Sequence, residues 1–194
     1  MKIKNRCRWC QKTEIETHYH DNEWGVPLFD DNKLFEFLIL DAFQAGLSWV
    51  TILKKRENFR NAFDNFDAVK ISNYDENKIM ELMNDAGIIR NKLKINAAKT
   101  NAIKFLEVQK EFGSFSKYIW QFTNHKTIIN KWNYLSEVPA KTAESDAMSK
   151  DLSKRGFKFV GSTICYAFMQ AAGMVNDHQT DCFRYEEINR FIEK

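Results

Sequence analysis

The sequence predicts an all-α fold. Only two prolines, Pro27 and Pro139, interrupt 194 residues. Long segments repeat apolar residues at three- and four-residue spacing, the pattern of a helix with one buried face, and strand signals are almost absent. With 44% hydrophobic and 14% aromatic residues, the chain has material for one globular domain with a sizeable core, and disorder is excluded.

Taken in order, the clearest helical patterns cover residues 32–43, 49–63, 76–84, 91–112, 144–155, 160–172 and 186–192, and about eight helices are expected in all. Asp31 is placed to cap the first and Ser145 a later one, because a short side-chain oxygen satisfies an orphan N–H of the first turn. The segment 91–112 is the clearest. Leu93, Ile95, Ala98, Ala102, Phe105 and Leu106 recur at helical spacing with lysines at other positions, and Gly113 follows as a stop. No repeat or low-complexity stretch divides the chain.

The net charge of +3 excludes a whole-protein polyelectrolyte but leaves room for a local basic face that binds nucleic acid. The first residues are polar and basic, with no apolar stretch of a secretory signal, and nowhere do eighteen apolar residues run together. A soluble cytoplasmic protein is expected, with no membrane partner. In that reducing compartment the cysteines at positions 7, 10, 165 and 182 read as metal ligands or free thiols. Two disulfides in a secreted protein are the alternative.

Cys7 and His20 near one end, and the His178-x-x-x-Cys182 pair near the other, make a two-thiolate, two-imidazole set of the kind that closes a tetrahedral zinc site. Such a site has no open position for a reactive water, so it would be structural and would tie the two ends together. The spacing is not a zinc-finger signature, however. Cys7-Arg8-Trp9-Cys10 is itself a C-x-x-C, and His18 is a further ligand candidate. Residue chemistry alone leaves these sets open.

The stretches Tyr19-His20-Asp21-Asn22-Glu23-Trp24-Gly25-Val26-Pro27, Gln44-Ala45-Gly46-Leu47-Ser48-Trp49, Leu53-Lys54-Lys55-Arg56-Glu57-Asn58, Asp85-Ala86-Gly87-Ile88-Ile89-Arg90, Lys154-Arg155-Gly156-Phe157-Lys158-Phe159-Val160-Gly161 and Val175-Asn176-Asp177-His178 closely resemble the bacterial 3-methyladenine DNA glycosylase I family, and they occur in the family's order. The resemblance runs from about Cys7 to Cys182. It implies a helix-hairpin-helix DNA glycosylase fold whose ends are joined by one structural zinc ion, and hydrolysis of the N-glycosidic bond of 3-methyladenine in alkylated double-stranded DNA. The family's zinc ligands fall on Cys7, His20, His178 and Cys182, which makes Cys10 and Cys165 non-ligands.

The resemblance also assigns roles. Gly87, Ile88 and Arg90 belong to the hairpin, whose backbone amides would meet a DNA phosphate without reading sequence. Gln44, Gly46 and Leu47 belong to the segment that fills the gap left by the extruded nucleotide, with Leu47 as the wedge. Tyr19 and Trp49, and after them Trp9 and Trp24, are the aromatic faces for a cationic base. Lys54, Lys55 and Arg56, and separately Lys154, Arg155 and Lys158, are candidate phosphate partners. Asp41 stands where the family usually has a glutamate; it keeps the acceptor oxygens but reaches about one methylene less.

No aspartate occurs between Asp85 and Asp146, so the acid that many helix-hairpin-helix glycosylases place after the hairpin is missing. This agrees with the family, whose substrate base leaves as a neutral molecule. Extrusion, desolvation and selection of the methylated base would then carry the reaction, and no residue is assigned as general base. A monomer is expected. A non-catalytic helix-hairpin-helix DNA-binding module is the competing reading.

Overall fold

A computed structural model describes residues 4–193. Ten α-helices lie among them: α1 (Glu14–Asn22), α2 (Asp31–Gln44), α3 (Trp49–Ala62), α4 (Ala68–Ser72), α5 (Glu76–Asn84), α6 (Lys92–Phe112), α7 (Phe115–Trp120), α8 (Ala143–Arg155), α9 (Ser162–Ala171) and α10 (Phe183–Ile192). Strand is confined to β1 (Ile128–Ile129) and β2 (Val175–Asn176). The fold is therefore mostly helical, as the periodicity predicts, with α1, α4 and α7 as helices that the pattern did not mark.

The core is built around α2. Every residue from Leu34 to Phe43 in it is buried, so this helix is covered on all sides rather than along one stripe. It packs against α3, α6, α7 and α9, with Phe35 against Phe105 of α6 (centroids 4.7 Å apart) and Phe43 against Phe59 of α3 (4.8 Å). Full burial of each such ring contributes about 1.5–3 kcal/mol.

Two expected caps are corrected. Asp30, not Asp31, caps α2 by accepting from the Lys33 amide at 2.9 Å. Asp31 instead reaches across the fold, accepting from the amides of Phe115 (2.7 Å) and Ser116 (2.8 Å) at the start of α7. Thr142 caps α8, and Ser145 is the reciprocal partner in the same capping box, its hydroxyl accepting from the Thr142 amide at 2.9 Å. Both sequence assignments identified a capping side chain but not the amides it serves.

β1 and β2 pair in parallel, Ile128 opposite Val175, and a bridge between Trp132 and Gln179 extends the contact. This short ladder fixes the loop after α7 beside the segment that carries His178. Near the other end of the fold, α5 and α6 form a hairpin whose turn, residues 85–91, lies against α3. Lys55 of α3 donates to the carbonyls of Ala86 (2.9 Å) and Gly87 (3.1 Å), and Asn58 donates to Gly87. A Cβ on Gly87 would stand 3.2 Å from that of Asn58 and 2.9 Å from Asp85 Oδ1, so a larger residue there would have to push the turn or α3 apart by a few tenths of an ångström.

Candidate active site and metal cluster

Cys7, His20, His178 and Cys182 converge with their ligand atoms all within 4.8 Å of one another, each of the four residues buried. Sulfur–nitrogen separations are 3.6 Å (Cys7–His178), 3.4 Å (Cys182–His20) and 3.8 Å (Cys182–His178). A tetrahedral zinc with ordinary Zn–S and Zn–N lengths would hold sulfur and nitrogen about 3.6 Å apart, so the donor set fits that ion. The outer nitrogens fit it too. His20 Nδ1 donates to Asp21 Oδ1 at 2.8 Å, and Asp21 is held in turn by Arg6; His178 Nε2 donates to the Trp24 carbonyl at 3.2 Å. Each imidazole thereby turns its other nitrogen toward the cluster.

The rival ligand sets do not form. Cys10 Sγ donates to the Cys7 carbonyl (3.1 Å), Cys165 Sγ to the Val160 carbonyl (3.2 Å), and His18 is exposed. All four cysteines are free thiols, which removes the two-disulfide alternative. Contact with Cys7 lowers the pKa of Cys182 against the opposing effect of burial, helped by bonds to His178 and His20.

Beside this cluster lies a cavity of about 260 Å³. Trp9, Tyr19, Trp24 and Trp49 all line it, together with Asp41 and Gln44. The four aromatics are contiguous: Trp49 lies 5.4 Å from Tyr19, Tyr19 lies 6.4 Å from Trp9, and Trp9 lies 5.0 Å from Trp24, centroid to centroid. Trp24 continues the series onto His178 at 4.6 Å. Helix α1 supplies Tyr19 and His20 at adjacent positions, so neighbouring residues serve the cavity and the cluster.

Asp41, in the last turns of α2, is 2% exposed, and its Oδ2 has no hydrogen-bond partner among the described residues. Trp49 Nε1, at the first turn of α3, is likewise buried and unpaired. Burial pushes the Asp41 carboxyl well above the usual carboxylate range, with the charge of Arg56 opposing. Leaving such atoms unsatisfied costs about 1–3 kcal/mol each. An acceptor and a donor at the wall of one aromatic cavity are ready for a ligand that carries the complementary pair.

Several lining residues carried no sequence signal. Leu135 and Val138 come from a short 3-10 turn, Leu135–Glu137, and its end in the segment after β1, and Ala167, Gln170 and Ala171 from α9. Asp177, inside a family-like stretch, also lines the cavity, but its carboxylate is fully engaged: Oδ1 accepts from Asn130 and Trp132, Oδ2 from Tyr166 and Gln170. It fastens the loop to α9.

The loop from Gln44 to Ser48 joins α2 to α3 at the cavity's edge. Gly46 has a φ of +79° with open space around it, and Leu47 is 39% exposed at the tip. In the hairpin, Arg90 is exposed whereas Ile88 is core at 3% exposure, so only its backbone is available to a partner. The amides of Ile89 and Arg90 donate to nothing among the described residues.

The basic clusters divide. Lys54, Lys154 and Lys158 are exposed. Lys55 is occupied by the hairpin carbonyls, Arg56 by Glu23 (2.7 Å) and Glu36 (2.6 Å), and Arg155 by Glu111 and Asp151. These three side chains are therefore held by bonds within the protein, whereas those of Lys54, Lys154 and Lys158 have no such bond among the described residues.

The geometry agrees with what the chain is similar to. The DNA-3-methyladenine glycosylase 1 of Escherichia coli K12 is 50% identical over 180 residues, covering 93% of this chain and 96% of that protein. A crystal structure of a 3-methyladenine DNA glycosylase I superposes with a TM-score of 0.90 at 47% identity, covering 92% of this chain and 98% of that one. A tyrosine-to-phenylalanine variant of such an enzyme, solved in complex with 3-methyladenine, gives 0.89 at 35% identity, with 92% and 96% coverage. The sequence description of methyladenine glycosylases matches residues 9–185, and the chain belongs to that family.

Proposed function

We propose that the protein is a DNA-repair glycosylase that hydrolyses the N-glycosidic bond of 3-methyladenine in alkylated double-stranded DNA. One observation carries the assignment of the site: the unpaired Asp41 Oδ2 and Trp49 Nε1 at the wall of the aromatic cavity. One edge of adenine presents an amino donor at N6 beside an acceptor at N7, the complement of that pair. The N3-methylated base is cationic while still attached to sugar, and the contiguous rings of Tyr19 and Trp49, tilted by 51°, with Trp9 and Trp24, suit a flat cation.

The turn of residues 85–91 is read as a helix-hairpin-helix element that holds a phosphate through the free amides of Ile89 and Arg90, beside Gly87. Leu47, presented by Gln44 and Gly46, enters the stack as the nucleotide leaves it. The bond from C1′ to N9 breaks with its electron pair going to the base, which departs neutral; a water adds to C1′ and releases a proton. The residues named here bind, orient and desolvate, and none is assigned as general base.

Zinc is the metal that the Cys7, His20, His178 and Cys182 set suits, one ion per chain. When bound it supplies a closed cross-link rather than a reactive water. In this reading the described residues act as one unit, and the protein works as a monomer in the bacterial cytoplasm, where its thiols stay reduced. Incubation of pure protein with methylated duplex, followed by chromatography of freed bases, tests the function. Release of 3-methyladenine is expected; a gel shift without released base would leave a DNA-binding module instead.

A further inference from the structure

Lys94 is a lysine in the interior with no carboxylate partner among the described residues. It sits in the first turn of α6, is 7% exposed, and donates through Nζ to the carbonyls of Phe43 (2.8 Å) and Ala45 (2.6 Å). Those carbonyls close α2. That helix has no basic residue in its last turn, and its C-cap, Ala45, has φ −47° and ψ 116°, outside the left-handed conformation that usually satisfies terminal carbonyls. The Gln44 carbonyl is taken by the Leu47 amide at 2.7 Å. A side chain from about fifty residues away thus supplies the missing cap, and its cation meets the negative end of the α2 dipole.

The two ends joined in this way have different tasks. On one side is the helix that follows the 85–91 hairpin; on the other is the loop that exposes Leu47, one turn beyond Asp41. We infer that Lys94 is a positioning residue that sets the Leu47 loop in register with the hairpin, so that a duplex held at one is entered at the other. This rests on the proposed wedge role of Leu47.

The test compares single-turnover excision of 3-methyladenine from a normal duplex and from one in which the target faces an abasic gap, where less extrusion is needed. Lys94→Met keeps most of the length and the apolar stem but removes both bonds. It is expected to slow excision from normal duplex at least tenfold and from the gapped duplex less than threefold, with affinity for free 3-methyladenine within twofold of wild type. Leu47→Ala should show the same duplex-selective loss, and the double variant should be no slower than the slower single one. Equal loss on both substrates, or a Lys94→Met variant that matches wild type while Leu47→Ala is slow, overturns the positioning role. A silent Leu47→Ala overturns the wedge reading and with it this one. If Lys94→Met does not fold, Lys94→Gln, which retains a donor, carries the same comparison with a loss of about threefold expected on normal duplex.

Discussion

His178 donates through Nε2 to the carbonyl of Trp24 across 3.2 Å, so one member of the Cys/His cluster directly holds one wall of the aromatic cavity. Trp24 also packs edge-on against the same imidazole, and Trp9 lies 5.7 Å from His20. The cavity and the cluster therefore share a wall. Gly25 is part of this arrangement: with φ at +78°, a Cβ there would stand 2.9 Å from His178 Nε2.

Removal of metal should consequently change both stability and base binding. Closing a loop of this length contributes up to about 5 kcal/mol in the chain-entropy description of cross-links, which for a chain of this size corresponds to a fall in Tm of about 10 °C or more. Protein treated with chelator should melt lower by that order and bind 3-methyladenine several-fold more weakly by tryptophan fluorescence. Elemental analysis should give one zinc per chain after purification without chelator; less than about half an equivalent would count against the structural ion.

Asp41 should define affinity for the base while reducing stability. Its pKa is raised by burial, so the folded state favours the protonated form. The stability associated with that form is fully present below the unfolded pKa of about 4 and is lost as pH rises through the folded value. Asp41→Asn should therefore be more stable than wild type at neutral pH, with the difference shrinking toward pH 4 in urea melts. The same variant should bind 3-methyladenine roughly two- to tenfold more weakly, the value of a hydrogen bond between neutral groups. Unchanged affinity would remove Asp41 from the site.

The basic residues should separate by their salt dependence. Lys54 and Arg90 are exposed, whereas Lys55 holds Ala86 and Gly87 from inside. Lys54→Ala and Arg90→Ala should each reduce the slope of log affinity against log salt by about 0.9 on duplex DNA. Lys55→Met should weaken binding by loosening the hairpin yet leave that slope unchanged. A slope change for Lys55→Met as large as that for Arg90→Ala would mean that Lys55 reaches phosphate after all.

Much of this was legible in the chain. α5 matches its expected span, and α6 begins one residue late because Asn91 is its cap rather than its first turn. Local signals of this kind depend on a few neighbouring residues. α4 and α7 are five and six residues long, too short for periodicity to show. Tyr19, His20, Trp24, Trp49 and His178 were legible because they sit in long recognisable stretches, whereas Cys7, Trp9 and Cys182 lie at the ends of the resemblance outside those stretches; the structure brings all of them together. Leu135 and Val138 were not, because their place beside the cavity depends on the pairing of β1 with β2 and on the four bonds to Asp177, all contacts between distant segments. The ion pairs of Arg56 and Arg155 were not legible for the same reason: nothing local shows that a carboxylate from another helix already holds a surface-patterned cation.

Arg56 carries the largest single stability prediction outside the metal cluster. Its guanidinium bridges Glu23 and Glu36, with its side chain 11% exposed and that of Glu36 8% exposed, and it faces the Phe37 ring at 5.2 Å. Removing one partner of a buried pair costs about 3–5 kcal/mol because the other charge is left uncompensated. Here Arg60 also donates to Glu36, at 2.8 Å, which places the expected cost of Arg56→Met near the lower bound, about 3 kcal/mol. Arg56 is in addition the positive charge that opposes the upward shift of Asp41, so its loss makes ionised Asp41 harder to keep. Urea melts of Arg56→Met and of Arg56→Met with Glu36→Gln should show the double variant recovering part of the loss. A single variant within 1 kcal/mol of wild type would show that Arg60 alone neutralises Glu36.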